Sequence, residues 1–200
     1  MITRILRNIL IAVALIGTLF DSSAQAILDQ QQTNYDGGVS ALTDPGYSEW
    51  QSFTARVTGE LSFIEVGFFN DLSGDGLLQV YAGQGTLGTL LQSVSVPVVS
   101  TTQSGASWNS WAVSVPVEEN LQYTFNFIPN AATLDNPYGV AIGAGNPYLD
   151  GTHGENHPGY ATTDSFDLVF RTYVTPVPEP STVGLFLVSL GAFAARQRRK

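Results

Sequence analysis

Leu121-Gln122-Tyr123-Thr124-Phe125-Asn126-Phe127 decides the fold. Apolar and polar side chains alternate strictly along it, and a period of two is the repeat of a β-strand with one face buried. The repeat returns in Phe166-Asp167-Leu168-Val169-Phe170-Arg171-Thr172-Tyr173-Val174, where Phe166, Leu168, Phe170 and Val174 share one face and Asp167 and Arg171 the other. Gln51-Ser52-Phe53-Thr54-Ala55-Arg56-Val57 points Phe53, Ala55 and Val57 inward by the same rule. Phe125, Phe127, Phe166, Leu168 and Phe170 are therefore expected in the core.

Outward from these segments, strands are expected at 61–69, 77–81, 90–99, 108–117 and 138–142. Turn chemistry separates them: Thr58-Gly59, Ser73-Gly74-Asp75-Gly76, Gly83-Gln84-Gly85, Glu118-Glu119-Asn120 and Asn146-Pro147. No stretch between the ends carries a helical stripe, and no internal repeat is visible. About eight short strands with one-sided alternation predict an all-β fold, an antiparallel two-sheet β-sandwich of the jelly-roll kind spanning 27–174. An immunoglobulin-like topology is the nearest competitor, because order along the chain does not fix pairing.

Charge narrows the function classes. From 27 to 176 fifteen acidic residues face only Arg56 and Arg171, a net charge of −13 with neutral histidine, against −9 for the whole chain. Such a surface repels nucleic acid and anionic lipid and accommodates divalent cations and neutral sugars. There is no cysteine, so no disulfide framework supports the fold.

The two ends read differently from the middle. Arg4 and Arg7 precede an apolar run at 9–20, and the small-x-small triplet Ala24-Gln25-Ala26 follows. This order predicts a signal peptide over 1–26, cleaved after Ala26. At the other end Val177-Pro178-Glu179-Pro180 lies in a proline-containing spacer, 175–182. An uncharged apolar run, 183–195, follows, and Arg196, Arg198, Arg199 and Lys200 close the chain. A helix over 183–195 reaches about 20 Å at about 1.5 Å per residue, short of the roughly 30 Å hydrocarbon core. The expectation is a marginal transmembrane helix with a basic cytoplasmic tail at 196–200 and the body outside the inner membrane.

Val177, Pro178, Glu179 and Pro180, the apolar run and the basic end, in that order, resemble the PEP-CTERM family of exported bacterial proteins. The resemblance covers about the last two dozen residues. It implies a Gram-negative host that makes exopolysaccharide. It also implies recognition of the tail by exosortase, a membrane-embedded cysteine-type transpeptidase, with cleavage near the motif. The body would then rest on the cell surface or in the extracellular matrix. A second resemblance covers most of the middle. Gln51-Ser-Phe-Thr-Ala55, the Trp111 strand, Leu121-Gln-Tyr123, Asn146-Pro-Tyr148 and Asp167-Leu-Val-Phe-Arg-Thr-Tyr173 are similar to a jelly-roll module of secreted, variably anchored bacterial proteins. That module is similar in turn to carbohydrate-binding domains.

Three constellations carry candidate chemistry. Asp71, Ser73 and Asp75 at alternate positions, followed by Gly76, look like the front half of a calcium loop, although Ala82 stands where its bidentate glutamate belongs. The plainer reading is a hairpin turn. Asp150-Gly-Thr-His153-Gly-Glu155-Asn-His157 gathers both histidines of the chain with two carboxylates, a donor set for zinc or another divalent metal. Its glycines favour a solvated loop. Trp50, Trp108 and Tyr148 flank loops and offer flat rings to a sugar face, whereas Trp111 lies in an alternating strand and is expected in the core. No Gly-x-Ser-x-Gly elbow is present, and Glu118-Glu119 are neighbours rather than a facing carboxylate pair, so a non-catalytic role is expected. Two functions follow: a matrix or adhesive surface protein, and a carbohydrate-binding module with calcium as its auxiliary cation.

Overall fold

The computed structural model describes residues 24–44, 46–69, 72–100, 106–131, 137–156 and 165–177. Twelve strands and no helix lie among them: β1 Ile27–Gln32, β2 Gly38–Leu42, β3 Ser48–Thr54, β4 Gly59–Phe69, β5 Leu72–Ala82, β6 Leu90–Ser100, β7 Ser107–Val117, β8 Gln122–Pro129, β9 Tyr138–Ala144, β10 His153–Asn156, β11 Phe166–Leu168 and β12 Phe170–Pro176. The expected leader up to residue 23, and the expected helix at 183–195, lie outside the described residues. No helix among the described residues is long and apolar enough to cross a membrane.

Pairing identifies the topology. β5 pairs β6, β4 pairs β7, β3 pairs β8 and β2 pairs β9, all antiparallel. This nesting is one long hairpin wound around the sandwich, so successive pairs fall alternately in the two sheets: a jelly roll. The immunoglobulin-like alternative is thereby excluded. One sheet has five strands in the order β10-β3-β8-β5-β6. The other has seven, β1-β12-β4-β9-β11, with β2 on β9 and β7 on β4. The chain's first and last described strands, β1 and β12, lie side by side, with Ile27 opposite Val174.

Between the sheets the core is aromatic. Trp111 stacks on Phe127 at 5.5 Å and 10°, and Phe68 stands edge-on to both. Each such pair contributes about 0.5–1.5 kcal/mol beyond its buried area. Phe125, Leu168 and Phe170 are fully buried as expected, whereas Phe166 is only half-buried. The side of the sandwich formed by β6 and β7 is closed by side chains. Asn109 accepts from the Val99 N–H at 2.8 Å and donates to its carbonyl at 3.1 Å, and Trp111 Nε1 donates to the Pro97 carbonyl at 2.7 Å. These bonds occupy a strand edge that would otherwise be free to pair with another chain.

Three expectations are corrected here. Residues 72–76 are not a turn but the first half of β5, with Ser73 opposite Val99 and Asp75 opposite Pro97. Gly74 and Gly76 serve close approach rather than chain reversal. A Cβ on Gly74 would stand 2.1 Å from the Tyr138 hydroxyl, and one on Gly76 2.4 Å from the Phe127 ring. The strand expected over 166–174 is split at Val169, whose N–H donates to Ala141 and whose carbonyl accepts from Gly67, both at 2.8 Å. Asp167, expected with Arg171 on a solvent face, is completely buried. β1, β2 and β10 were not foreseen, because none of them alternates.

Candidate functional site

The outer face of the seven-stranded sheet carries two rows of cross-strand neighbours. One runs Leu28, Tyr173, Phe63, Ala112, and the next runs Gln31, Arg171, Glu65, Ser110. Residues two apart on a strand share a face, so the alternation that buries Phe170, Thr172 and Val174 presents Arg171 and Tyr173 outward. Phe63 is 41% exposed and Trp108 36%. Glu65 holds the group together: its Oε2 accepts from Arg171 Nη1 at 3.2 Å and from the Tyr173 hydroxyl at 3.1 Å. The Arg171 guanidinium lies 4.0 Å from the centroid of the Trp108 ring, a cation–π contact of about 0.5–1 kcal/mol at an exposed site. Burial and the Glu65 carboxylate raise the Tyr173 pKa, so its hydroxyl stays protonated and donates. A shallow groove of 460 Å³ opens on this face, lined by Phe63, Glu65, Ser110 and Tyr173 together with Gln25 and Ala26. Flat rings fixed beside a carboxylate, a guanidinium and a hydroxyl suit a ligand with apolar faces and polar edges.

Of the three aromatic residues named from sequence, only Trp108 is on this face. Trp50 is buried: it lies on the outer face of β3 under the 83–89 loop, and a Cβ on Gly154 would meet its ring at 2.1 Å. Tyr148 is buried too, edge-on to Phe170 at 5.1 Å, with its hydroxyl donating to Gln30 Oε1 at 3.0 Å. Burial drives the Tyr148 pKa strongly upward. Neither ring is available for stacking, which corrects the loop-flanking reading of both. Phe63 and Tyr173 were missed. Their signal was present as the face left over after the apolar positions of β4 and β12 are assigned to the core.

Two members of the calcium-like trio, Ser73 and Asp75, lie in a strand rather than in a loop. Ser73 and Asp75 are exposed neighbours on one face of β5, and Asp71 lies outside the described residues. Asp75 Oδ2 accepts from Asn130 Nδ2 at 2.9 Å. Extended backbone keeps alternate side chains roughly two residue rises, about 6.6 Å, apart, whereas a calcium loop folds its oxygens to one point. The histidine segment is likewise not a solvated loop. His153 is 1% exposed on β10, with Nε2 2.5 Å from Glu49 Oε2; His157 lies outside the described residues. Val177 follows β12 and is exposed, while Pro178, Glu179 and Pro180 lie outside the described residues.

A buried polar network missed from sequence ties β3 to β11. Asp167 Oδ1 accepts from Gln51 Nε2 and Oδ2 from the Tyr148 N–H, each at 2.9 Å, and Gln51 Oε1 accepts from the Leu168 N–H at 3.0 Å.

With this geometry in hand, comparison with known families finds a match at the end of the chain. Residues 176–200 match the PEP-CTERM protein-sorting motif. The chain carries a PEP-CTERM tail. The match starts at Pro176, the last residue of β12, so the tail leaves directly from a strand held between β1 and β4. The PEP-CTERM motif marks an exported protein, held transiently at the membrane and sorted by exosortase. No curated protein matches the chain. Among solved structures it is similar to a chain in the structure of infectious bursal disease virus, Gx strain, at 13% identity and a TM-score of 0.33. That alignment covers 86% of this chain and 48% of the viral one, so the chain spans about half its length. A likeness at that level carries no argument about function.

Proposed function

We propose that this is an exported, exosortase-sorted protein of the cell surface or exopolysaccharide matrix, in which the jelly roll acts as a non-catalytic adhesive module. The observation that carries the reading is the outer face of the seven-stranded sheet, where Trp108, Phe63 and Tyr173 are presented around the Glu65–Arg171 pair. The same face favours glycan as the adhesive partner, through ring stacking and hydrogen bonds to hydroxyls. Cleavage after Ala26 would remove Gln25 and Ala26 from the groove and leave Phe63, Glu65, Ser110 and Tyr173 open to the ligand. Arg171 supplies donors and Glu65 an acceptor for sugar hydroxyls, within a surface whose net negative charge disfavours anionic polymers.

Retention on the host's own immobilised exopolysaccharide tests the proposal. The parent protein should be retained, and a Phe63→Ala/Trp108→Ala/Tyr173→Ala variant should elute with the void. Equal retention of parent and variant would place adhesion elsewhere on the molecule, and no retention of the parent would remove glycan as the partner.

A further inference from the structure

We infer that Glu49, His153 and Glu155 form a binding site for a divalent transition metal of the zinc type, clamping β10 to β3. β10 is a four-residue edge strand paired only with β3, with His153 opposite Gln51 and Glu155 opposite Glu49. Opposed residues in an antiparallel pair project to the same side. The pairing therefore turns Glu49, His153 and Glu155 toward the space between the sheets. One donor atom from each lies within 4.8 Å of the others. Imidazole with two carboxylates suits zinc, whereas calcium prefers oxygen alone.

Glu49 is 1% exposed and Glu155 half-buried. Two carboxylates and one imidazole gathered on the same side of a short strand pair make a mixed oxygen and nitrogen donor set.

His153 Nε2 meets Glu49 Oε2 and is therefore the nitrogen that faces the carboxylates, while Nδ1 is buried without a hydrogen-bond partner. The Phe166 ring packs against the imidazole at 4.5 Å between centroids and limits its orientation. Ser40 Oγ hydrogen-bonds Glu49 Oε1, which fixes the carboxylate from behind in the way outer groups orient metal ligands. Metal bonds of about 2.0–2.2 Å would separate tetrahedral donor atoms by about 3.3 Å, so metal entry opens the 2.5 Å Glu49–His153 contact slightly. The ligands lie 104 positions apart in sequence for the Glu49–His153 pair. In a chain without cysteine, the metal supplies a covalent-like crosslink across the fold.

The test uses the purified exported protein, free of added histidines, stripped with chelator and incubated with zinc chloride or calcium chloride. After dialysis, elemental analysis should find about one zinc per chain, and zinc but not calcium should raise the melting temperature. Glu155→Gln removes a ligand at a half-buried position and should retain a cooperative melt while losing zinc retention. Ser40→Ala, which touches only a ligand, should weaken zinc binding by about 10–100-fold in competition with a chromogenic chelator. Zinc absent after dialysis of the folded parent, or Glu155→Gln retaining zinc like the parent, overturns the inference. Equal stabilisation by calcium would also overturn it, since it would report charge screening rather than a site with nitrogen in it.

Discussion

The two flanks of the sandwich interior are built on opposite principles. On one flank β6 and β7 alternate buried and exposed residue by residue, placing Val96, Val98, Trp111, Val113, Val115 and Val117 inward. On the other, six consecutive residues of β3 are buried, and its inward row reads Glu49, Gln51, Phe53. There the opposing sheet contributes Asp167, and β10 contributes His153. The apolar flank gains stability from burial and ring packing and is indifferent to small shifts of partner. The polar flank gains little net energy from each bond but loses heavily when a bond is missing, so it fixes register.

The largest expected effect lies on the apolar flank. Phe127→Ala removes the ring on which Trp111 stacks and against which Phe68 and Tyr138 pack. Chemical denaturation should show a loss of about 3–5 kcal/mol. A loss under about 0.5 kcal/mol, the level of surface changes, would mean the aromatic cluster does not hold the sheets together.

Asp167→Ala probes the polar flank. It strands the Tyr148 N–H, at about 1–3 kcal/mol for a donor left unpaired, and leaves the Gln51 amide only its 3.2 Å bond to the Ser52 carbonyl, while removing almost no apolar area. Asp167→Asn should cost less than Asp167→Ala, because it retains one acceptor. If the two variants melt alike, the network is not what fixes this flank.

A smaller effect is expected at Asp29, where burial raises the carboxyl pKa above its ordinary 3.8 despite N–H bonds from Arg56 and Val57. A carboxyl raised on folding binds more protons in the native state. Its contribution is therefore favourable below the ordinary value and is lost as pH rises through the raised one. The stability of Asp29→Asn relative to the parent should grow as pH rises through that window. A difference independent of pH would place the Asp29 carboxyl in a solvated environment.

The smallest effect on stability belongs to the outer face. Phe63→Ala should cost about 0.5 kcal/mol and Trp108→Ala about 0.5–1 kcal/mol, the latter through its contact with Arg171, since both rings are partly open to water. The contrast between this small effect on stability and the loss of exopolysaccharide retention separates a binding face from a packing face.

Sequence legibility divides along the same line as the two flanks. The strands of the apolar flank could be read because inward positions are apolar and outward ones polar, as in Ser107–Val117. β8 was read correctly from its alternation, yet its polar residues are buried as well, since the 83–89 loop covers Thr124 by hydrogen bonds through Gly83 and Gly85. β10 and Asp167 could not be read, because a buried polar side chain is recognisable only from the partner that satisfies it. Asp167 meets Gln51 from 116 positions away. The calcium-like Asp71, Ser73 and Asp75 misled for a related reason. Glycine marks turns and close contacts alike, and only the Tyr138 and Phe127 rings show which applies at Gly74 and Gly76.

The central claim is that the sandwich is the delivered body of the protein and the PEP-CTERM tail the device that delivers it. β1 begins at Ile27, one residue after the expected leader cleavage, and β12 ends at Pro176, where the motif match begins. Both ends can thus be removed without cutting a strand. Intact-mass analysis of protein extracted from the cell surface measures this directly. The account predicts a species that starts at Ile27 and ends near Pro180, with the apolar run and the basic end gone. A mature surface form that still ends in Lys200 would contradict it.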